Sequence, residues 1–176
     1  MKKDEPFRMS APPMGCVHPS STLIIGLGNP ILGDDGVGWK VAEELARTVS
    51  ISPSIVIETA SLGGLSLMER LIGFQRAIII DSMETSQSQV GTVRVIPLDG
   101  LSNPCAGHSA SAHDTSLLTA LQTAKYLGLP VPESIVVVAI EAKNVYDFSD
   151  VLSPLVAAAI PLACQTALNL LQKEVA

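Results

Sequence analysis

The chain has 176 residues, the size of one domain, and with 47% apolar and 16% charged residues it is not a disordered polypeptide. Eleven Lys+Arg against seventeen Asp+Glu leave a net charge of −6, and aromatics make up only 3%. No basic cluster exists for a phosphate backbone and few rings exist for bases to stack on, so nucleic acid is excluded as a partner.

Three cysteines, Cys16, Cys105 and Cys164, cannot all pair within one chain, and none forms a CxxC motif. A disulfide framework and a zinc ribbon are therefore excluded, and a reducing, cytoplasmic setting is the default. The opening MKKDEPFRMSAPPMGCVHPS lacks the apolar core of a secretory signal. No stretch reads as a spanning helix, so membrane insertion is not expected.

Residues 1–21 contain four prolines and little periodicity and read as a flexible extension. The domain is expected over 22–176. TLIIGL (Thr22–Leu27) is a short apolar run, the pattern of a strand buried on both faces. GNPILGDDG supplies turn residues. Val37, Val41 and Leu45 then recur at four-residue spacing with Lys40, Glu43 and Glu44 between them, an amphipathic helix.

SIVIE (Ser54–Glu58) is a second strand. Gly63–Gly64 opens a short helix near Leu65–Leu71, and AIIID (Ala77–Asp81) is a third buried strand that ends in a carboxylate. GTVRVIPL (Gly91–Leu98) alternates and carries Arg94, which suits an edge strand. Residues 99–112 form a small-residue loop. Thr115–Leu127 is helical and stops at Gly128 and Pro130. SIVVVAIE (Ser134–Glu141) is the most apolar strand. Ser153–Pro154 places an N-cap before a proline at the first helical position, and Pro161 should kink the last helix.

This alternation predicts a single-domain α/β fold: a mostly parallel twisted sheet of about five strands sandwiched between helices. In such sheets ligands bind beyond the carboxyl ends of the strands. Attention falls on the segments after Leu27, Glu58, Asp81 and Glu141.

The loop GLGNPILGDDGVG matches neither GxGxxG nor GxxxxGK[ST], and its two carboxylates repel phosphate. One of Asp34 and Asp35 caps the following helix, and the other is surplus at the sheet rim. Asp81 ends an apolar strand where an unpaired buried charge is costly, which favours a functional carboxylate over a simple turn cap. His18 lies in the extension. His108 and His113 sit in a loop of small residues that has no packing need for imidazole, so one of them is a candidate ligand or acid–base group. His113, beside a helix start, is the better fixed. Two carboxylates and an imidazole can bind a first-row divalent metal or transfer protons, and the residues alone do not choose between these. Cys105 and His108 are a weak thiol–imidazole pairing, and Cys164 reads as core.

Four blocks, LIIGLGNPILGDDGVG, LGGLSLMERL, AIIIDSM and SAHDTSLL, together resemble the hydrogenase maturation proteases. These endopeptidases remove the C-terminal extension of the [NiFe]-hydrogenase large subunit. The resemblance spans about Leu23–Leu171. It implies an aspartic-type site with no serine or cysteine nucleophile, in which Asp35, Asp81 and His113 are both catalytic and metal-binding, with Asp34 as the capping neighbour. The metal is nickel, contributed by or shared with the substrate, and another divalent ion could occupy the isolated protein. The resemblance further implies the nickel-loaded large-subunit precursor as partner, with Leu62–Leu67 as a segment that helps to receive its tail. Two alternatives remain. GLGNP also opens the peptidyl-tRNA hydrolases, an esterase reading, although Trp39–Lys40 stands where that family needs a histidine. A nickel-sensing chaperone that docks without cutting is the other.

Overall fold

Strand β1 (Thr22–Leu27) is buried at every position, as a central strand of an apolar run should be. It is the second strand of a five-stranded sheet in the computed structural model, which describes residues 21–48, 52–98 and 112–172 and, for 112–116, the backbone only. A 3-10 turn (Gly33–Gly36) and helix α1 (Val37–Thr48) lead to β2 (Ile55–Ala60). Helix α2 (Gly64–Leu71), β3 (Arg76–Met83), β4 (Val93–Pro97), α3 (Ala112–Tyr126), β5 (Ser134–Glu141) and α4 (Pro154–Gln172) follow.

The strand order is β2-β1-β3-β5-β4. β2, β1, β3 and β5 are parallel, and β4 runs antiparallel along the outer edge of β5. The chain leaves β1 toward β2 and then returns across it to β3. The gap between the carboxyl ends of β1 and β3 is therefore the topological switch point of the sheet.

Strand residues alternate between two cores. Leu23, Ile25, Ala77, Ile79, Val137 and Ala139 pack with α2 and α3 on one face. Ile24, Ile78, Ile80, Val138 and Ile140 pack with α1 and α4 on the other. In α3 the buried residues are Leu117, Ala120, Leu121 and Ala124, the spacing of one helical stripe. Helix α1 comes unusually close to the sheet. A Cβ on Gly38 would collide with the carbonyls of Leu27 and Ile80, so that glycine exists for helix–strand contact rather than for a phosphate cradle.

Three sequence expectations change. Helix α3 begins at Ala112, so its first turn takes up the end of the expected loop. Pro154 does open α4, but the hydroxyl of Ser153 is buried without a hydrogen bond among the described residues; its carbonyl instead accepts from Ala157 N. The expectation that no segment is long and apolar enough to span a membrane fails for α4, which has 19 residues and no charged side chain. Here that helix covers the sheet: Val156, Ala159, Ala163, Cys164 and Ala167 are buried, and Gln165, Thr166 and Asn169 lie outside that stripe. Ser21 is also buried, and its carbonyl accepts from Gln75 N and Arg76 N; residues 1–20 lie outside the described residues.

Candidate active site

The switch point carries the two aspartates that the sequence singles out. Asp35 lies in the 3-10 turn after β1, and Asp81 lies near the end of β3. Gly28 takes φ 120°, a backbone conformation that side chains disfavour, and a Cβ there would strike the Asp35 carbonyl. This turn folds the Asp35 segment back over the end of β1. Asn29 N–H then donates to Asp35 Oδ2 at 2.6 Å.

Ser82 joins the two carboxylates. Its hydroxyl donates to Asp35 Oδ1 at 3.1 Å and its amide donates to Asp81 Oδ1 at 2.8 Å. Both aspartates are half-buried. Alternation puts Asp81 on the same face as Ala77 and Ile79, the face covered by α2 and α3.

His113 falls in the first turn of α3. The far end of α3 leads through residues 127–133 into β5, where Glu133 N donates to Gln75 O at the amino edge of β3. The helix spans about 22 Å at 1.5 Å per residue. Its first turn therefore lies toward the carboxyl edge of the sheet, on the Asp81 face. The His113 side chain, and all of His18, Cys16, Cys105 and His108, lie outside the described residues. Among the described residues no group of three or more His, Cys, Asp and Glu side chains is gathered for a metal; Asp35 and Asp81 are linked through Ser82.

Asp34 does not do what the sequence suggests. The expectation that it caps α1 is corrected: the Asp34 carboxylate is fully buried and faces the loop before α4. It accepts from Ser153 N at 2.6 Å and, more loosely, from Asn144 N at 3.4 Å. Those amides belong to a distant loop and helix start, so the carboxylate ties two remote segments to the turn after β1.

A second ionic cluster, missed at the sequence level, lies at the same end of the sheet. Glu141 is 2% exposed and pairs with Arg94 at 3.0 Å. Its Oε1 also accepts from the amides of Thr85 and Ser86, at 2.8 and 2.9 Å, and Thr85 donates its hydroxyl. Ser86 has φ 56°. The pair thus fixes the turn that follows β3 and Asp81. Its sequence signal is a glutamate ending a long apolar run. Trp39 has a structural task, donating its indole N–H to Ala60 O at the end of β2. Cys164 is core, as read; burial pushes its thiol pKa up, with nearby Glu44 adding to the effect.

Across most of its length the chain is similar to known proteins. The hydrogenase expression/formation protein HupD of Rhizobium leguminosarum is 24% identical over 160 residues, covering 91% of this chain and 78% of that protein. HoxM of Cupriavidus necator, of the same description, is 23% identical over 151 residues, covering 86% and 74%. Among solved structures, the hydrogenase maturating endopeptidase HybD of E. coli superposes with a TM-score of 0.74 at 21% identity, covering 87% of this chain and 93% of that one. The [NiFe] hydrogenase maturation protease HybD of Thermococcus kodakarensis gives 0.65 at 24%, covering 85% and 98%. These structures share the fold. The sequence profile of the hydrogenase maturation proteases matches residues 39–170, from α1 through α4, and the chain belongs to that family.

Proposed function

We propose that this maturation protease, which processes the C terminus of a hydrogenase large subunit, presents Asp35, Asp81 and His113 to a precursor that already carries nickel. The observation that carries this reading is the shared neighbour of the two carboxylates. Ser82 bonds both, at the switch point where α/β folds bind ligands. The peptidyl-tRNA hydrolase alternative is not favoured by the family assignment.

The donor set suits the substrate's metal. Each Asp35 oxygen takes one hydrogen bond among the described residues and keeps a lone pair for a further partner. Carboxylate oxygens with an imidazole suit a first-row divalent ion. Nickel in the precursor would polarise the scissile carbonyl. One carboxylate would take a proton from water as the water oxygen bonds to the carbonyl carbon. That proton would then pass to the leaving amine as the C–N bond breaks. No serine or cysteine nucleophile is needed. Cys164, the described cysteine, is buried against α1, where its Sγ lies 3.7 Å from Val41 O.

The segment Leu62–Leu67 is suited to receive the tail. It follows β2 at the same sheet edge, Gly63 is extended, and Leu65 is exposed. We place the reaction in the cytoplasm, where unpaired thiols stay reduced.

Mass measurement of a candidate large subunit tests this. Exposure to the protein should shorten the nickel-loaded precursor and leave the nickel-free precursor intact. A nickel-loaded precursor that binds but is never cut would support the chaperone reading instead.

A further inference from the structure

The loop of residues 143–153, between β5 and α4, combines two features that do not usually go together. It is firmly held, yet it exposes large apolar side chains. Asp34 N donates to Asn144 O at 3.0 Å, and the buried Asp34 carboxylate accepts from Asn144 N and Ser153 N at the two ends of the loop. In the middle, Gly33 N donates to Ser149 O at 2.8 Å and Ser149 N donates to Ile31 O at 3.1 Å. Val145 is buried in the core. Between these anchors, Phe148 is 88% exposed and Tyr146 71% exposed, and Ile31 and Val151 are exposed beside them.

A fully buried carboxylate is an expensive way to hold a loop whose outward residues do nothing. Aromatic side chains on a preordered surface are efficient binding anchors, because little freedom remains to be lost when a partner arrives. We propose that Tyr146 and Phe148, with Ile31 and Val151, form the docking surface for the folded body of the large-subunit precursor.

The inference builds on the proposed function and identifies where that substrate is gripped. Continuity with the candidate active site selects this occupant. The loop is bonded backbone to backbone with residues 31–34, the same turn that presents Asp35. The C terminus of a protein that reaches Asp35 therefore comes next to the turn on which this loop is anchored. The partner should offer a complementary apolar recess near the base of its C-terminal extension.

The test uses the full chain, the nickel-loaded precursor and the double variant Tyr146→Ala/Phe148→Ala. Both side chains are exposed, so the variant should melt like the parent; Phe148→Tyr, which keeps the ring, is the conservative companion. Affinity is measured by calorimetry in an Asp81→Asn background, and cleavage is measured separately by mass. The double variant should weaken binding about tenfold or more, with Phe148→Tyr close to the parent. In the Asp81-containing protein it should raise KM with kcat changed less than about twofold. Equal affinity in parent and double variant overturns the docking surface even if cleavage is normal. Binding that depends on the aromatics without any cleavage would sink the protease reading and keep the surface. A parent dimer that the double variant dissociates, with precursor affinity unchanged, would assign the patch to self-association and overturn the proposal.

Discussion

The hydroxyl of Ser82 lies 3.1 Å from Oδ1 of Asp35, a residue 47 positions away in the chain. The end of β3 thereby fixes a carboxylate that arrives from the loop after β1. Removing the hydroxyl should leave the Asp35 carboxylate held by the Asn29 amide alone among the described residues, and so less well fixed, with the fold intact. A hydrogen bond to a charged group contributes about 1.5–3 kcal/mol, so Ser82→Ala should lower kcat about tenfold to a hundredfold. Ser82→Thr keeps the hydroxyl and should recover most of the loss. Equal rates for the Ala and Thr variants would show that the bond has no part in positioning Asp35.

Asp34 and Asp35 are adjacent, yet their substitution should be read in different measurements. Asp34 is fully buried and ties the 31–34 turn to Asn144 and Ser153. In Asp34→Asn one oxygen survives, but an amide NH2 must face a backbone N–H. The cost should be about 2–4 kcal/mol, which lowers Tm by about 5–15 °C in a chain of this size. Thermal unfolding checks this. An unchanged Tm would mean that solvent reaches the carboxylate.

This pair also shows what the sequence could and could not tell. The strands were legible because TLIIGL, AIIID and SIVVVAIE are apolar runs of strand length bounded by turn residues. A site beyond the carboxyl ends of the strands followed from the alternation of strands and helices, and it drew attention to Asp35 and Asp81. The strand order that makes the gap between β1 and β3 the switch point was not legible, because pairing between strands is not a local property. The partner of Asp34 was not legible. Ser153 is 119 positions away, and no local pattern encodes a bond of that span. The same holds for Glu141, whose charge at the end of an apolar strand was visible but whose match with Arg94 depends on β4 pairing antiparallel to β5. The 19-residue apolar length of α4 was not legible as one stretch because Pro161 and the polar Gln165, Thr166 and Asn169 interrupt the run.

The Glu141–Arg94 pair should respond asymmetrically. Glu141→Ala strands the guanidinium and also leaves the Thr85 and Ser86 amides without their acceptor. Breaking a buried pair from this side should cost about 3–5 kcal/mol. Arg94→Met leaves Glu141 three donors from Thr85 and Ser86 and should cost clearly less. Denaturant unfolding of the two single variants gives the order. Equal losses would mean that the ion pair, not the turn after β3, dominates.

Cys164 should resist alkylation in the folded protein. Its thiol is buried and its pKa is raised, so little thiolate forms near neutral pH. The sign for stability follows. Raising pH through the ordinary thiol range ionises the unfolded chain first, so this group destabilises the fold as pH rises. Peptide mapping after iodoacetamide should find Cys164 modified only in denaturant. Rapid native labelling would reveal an opening between α1 and α4.

Single substitutions should separate the three proposed site residues from their neighbours. Asp35→Asn, Asp81→Asn and His113→Ala each remove a ligand or proton acceptor without removing core volume. Each should abolish processing of the nickel-loaded precursor and leave a cooperative thermal transition, lowered by less than Asp34→Asn lowers it. For Asp35 and Asp81 the reason is their joint bonding to Ser82 at the switch point. For His113 it is the backbone position, the first turn of a helix that runs away from the carboxyl edge on the Asp81 face. His108→Ala is the matched comparison, because both histidines come from the same small-residue segment. Processing that persists in His108→Ala and vanishes in His113→Ala assigns the imidazole to the helix start. The reverse pattern would move it to the loop before α3, and retained processing in Asp81→Asn would remove the strand-end carboxylate from the chemistry altogether.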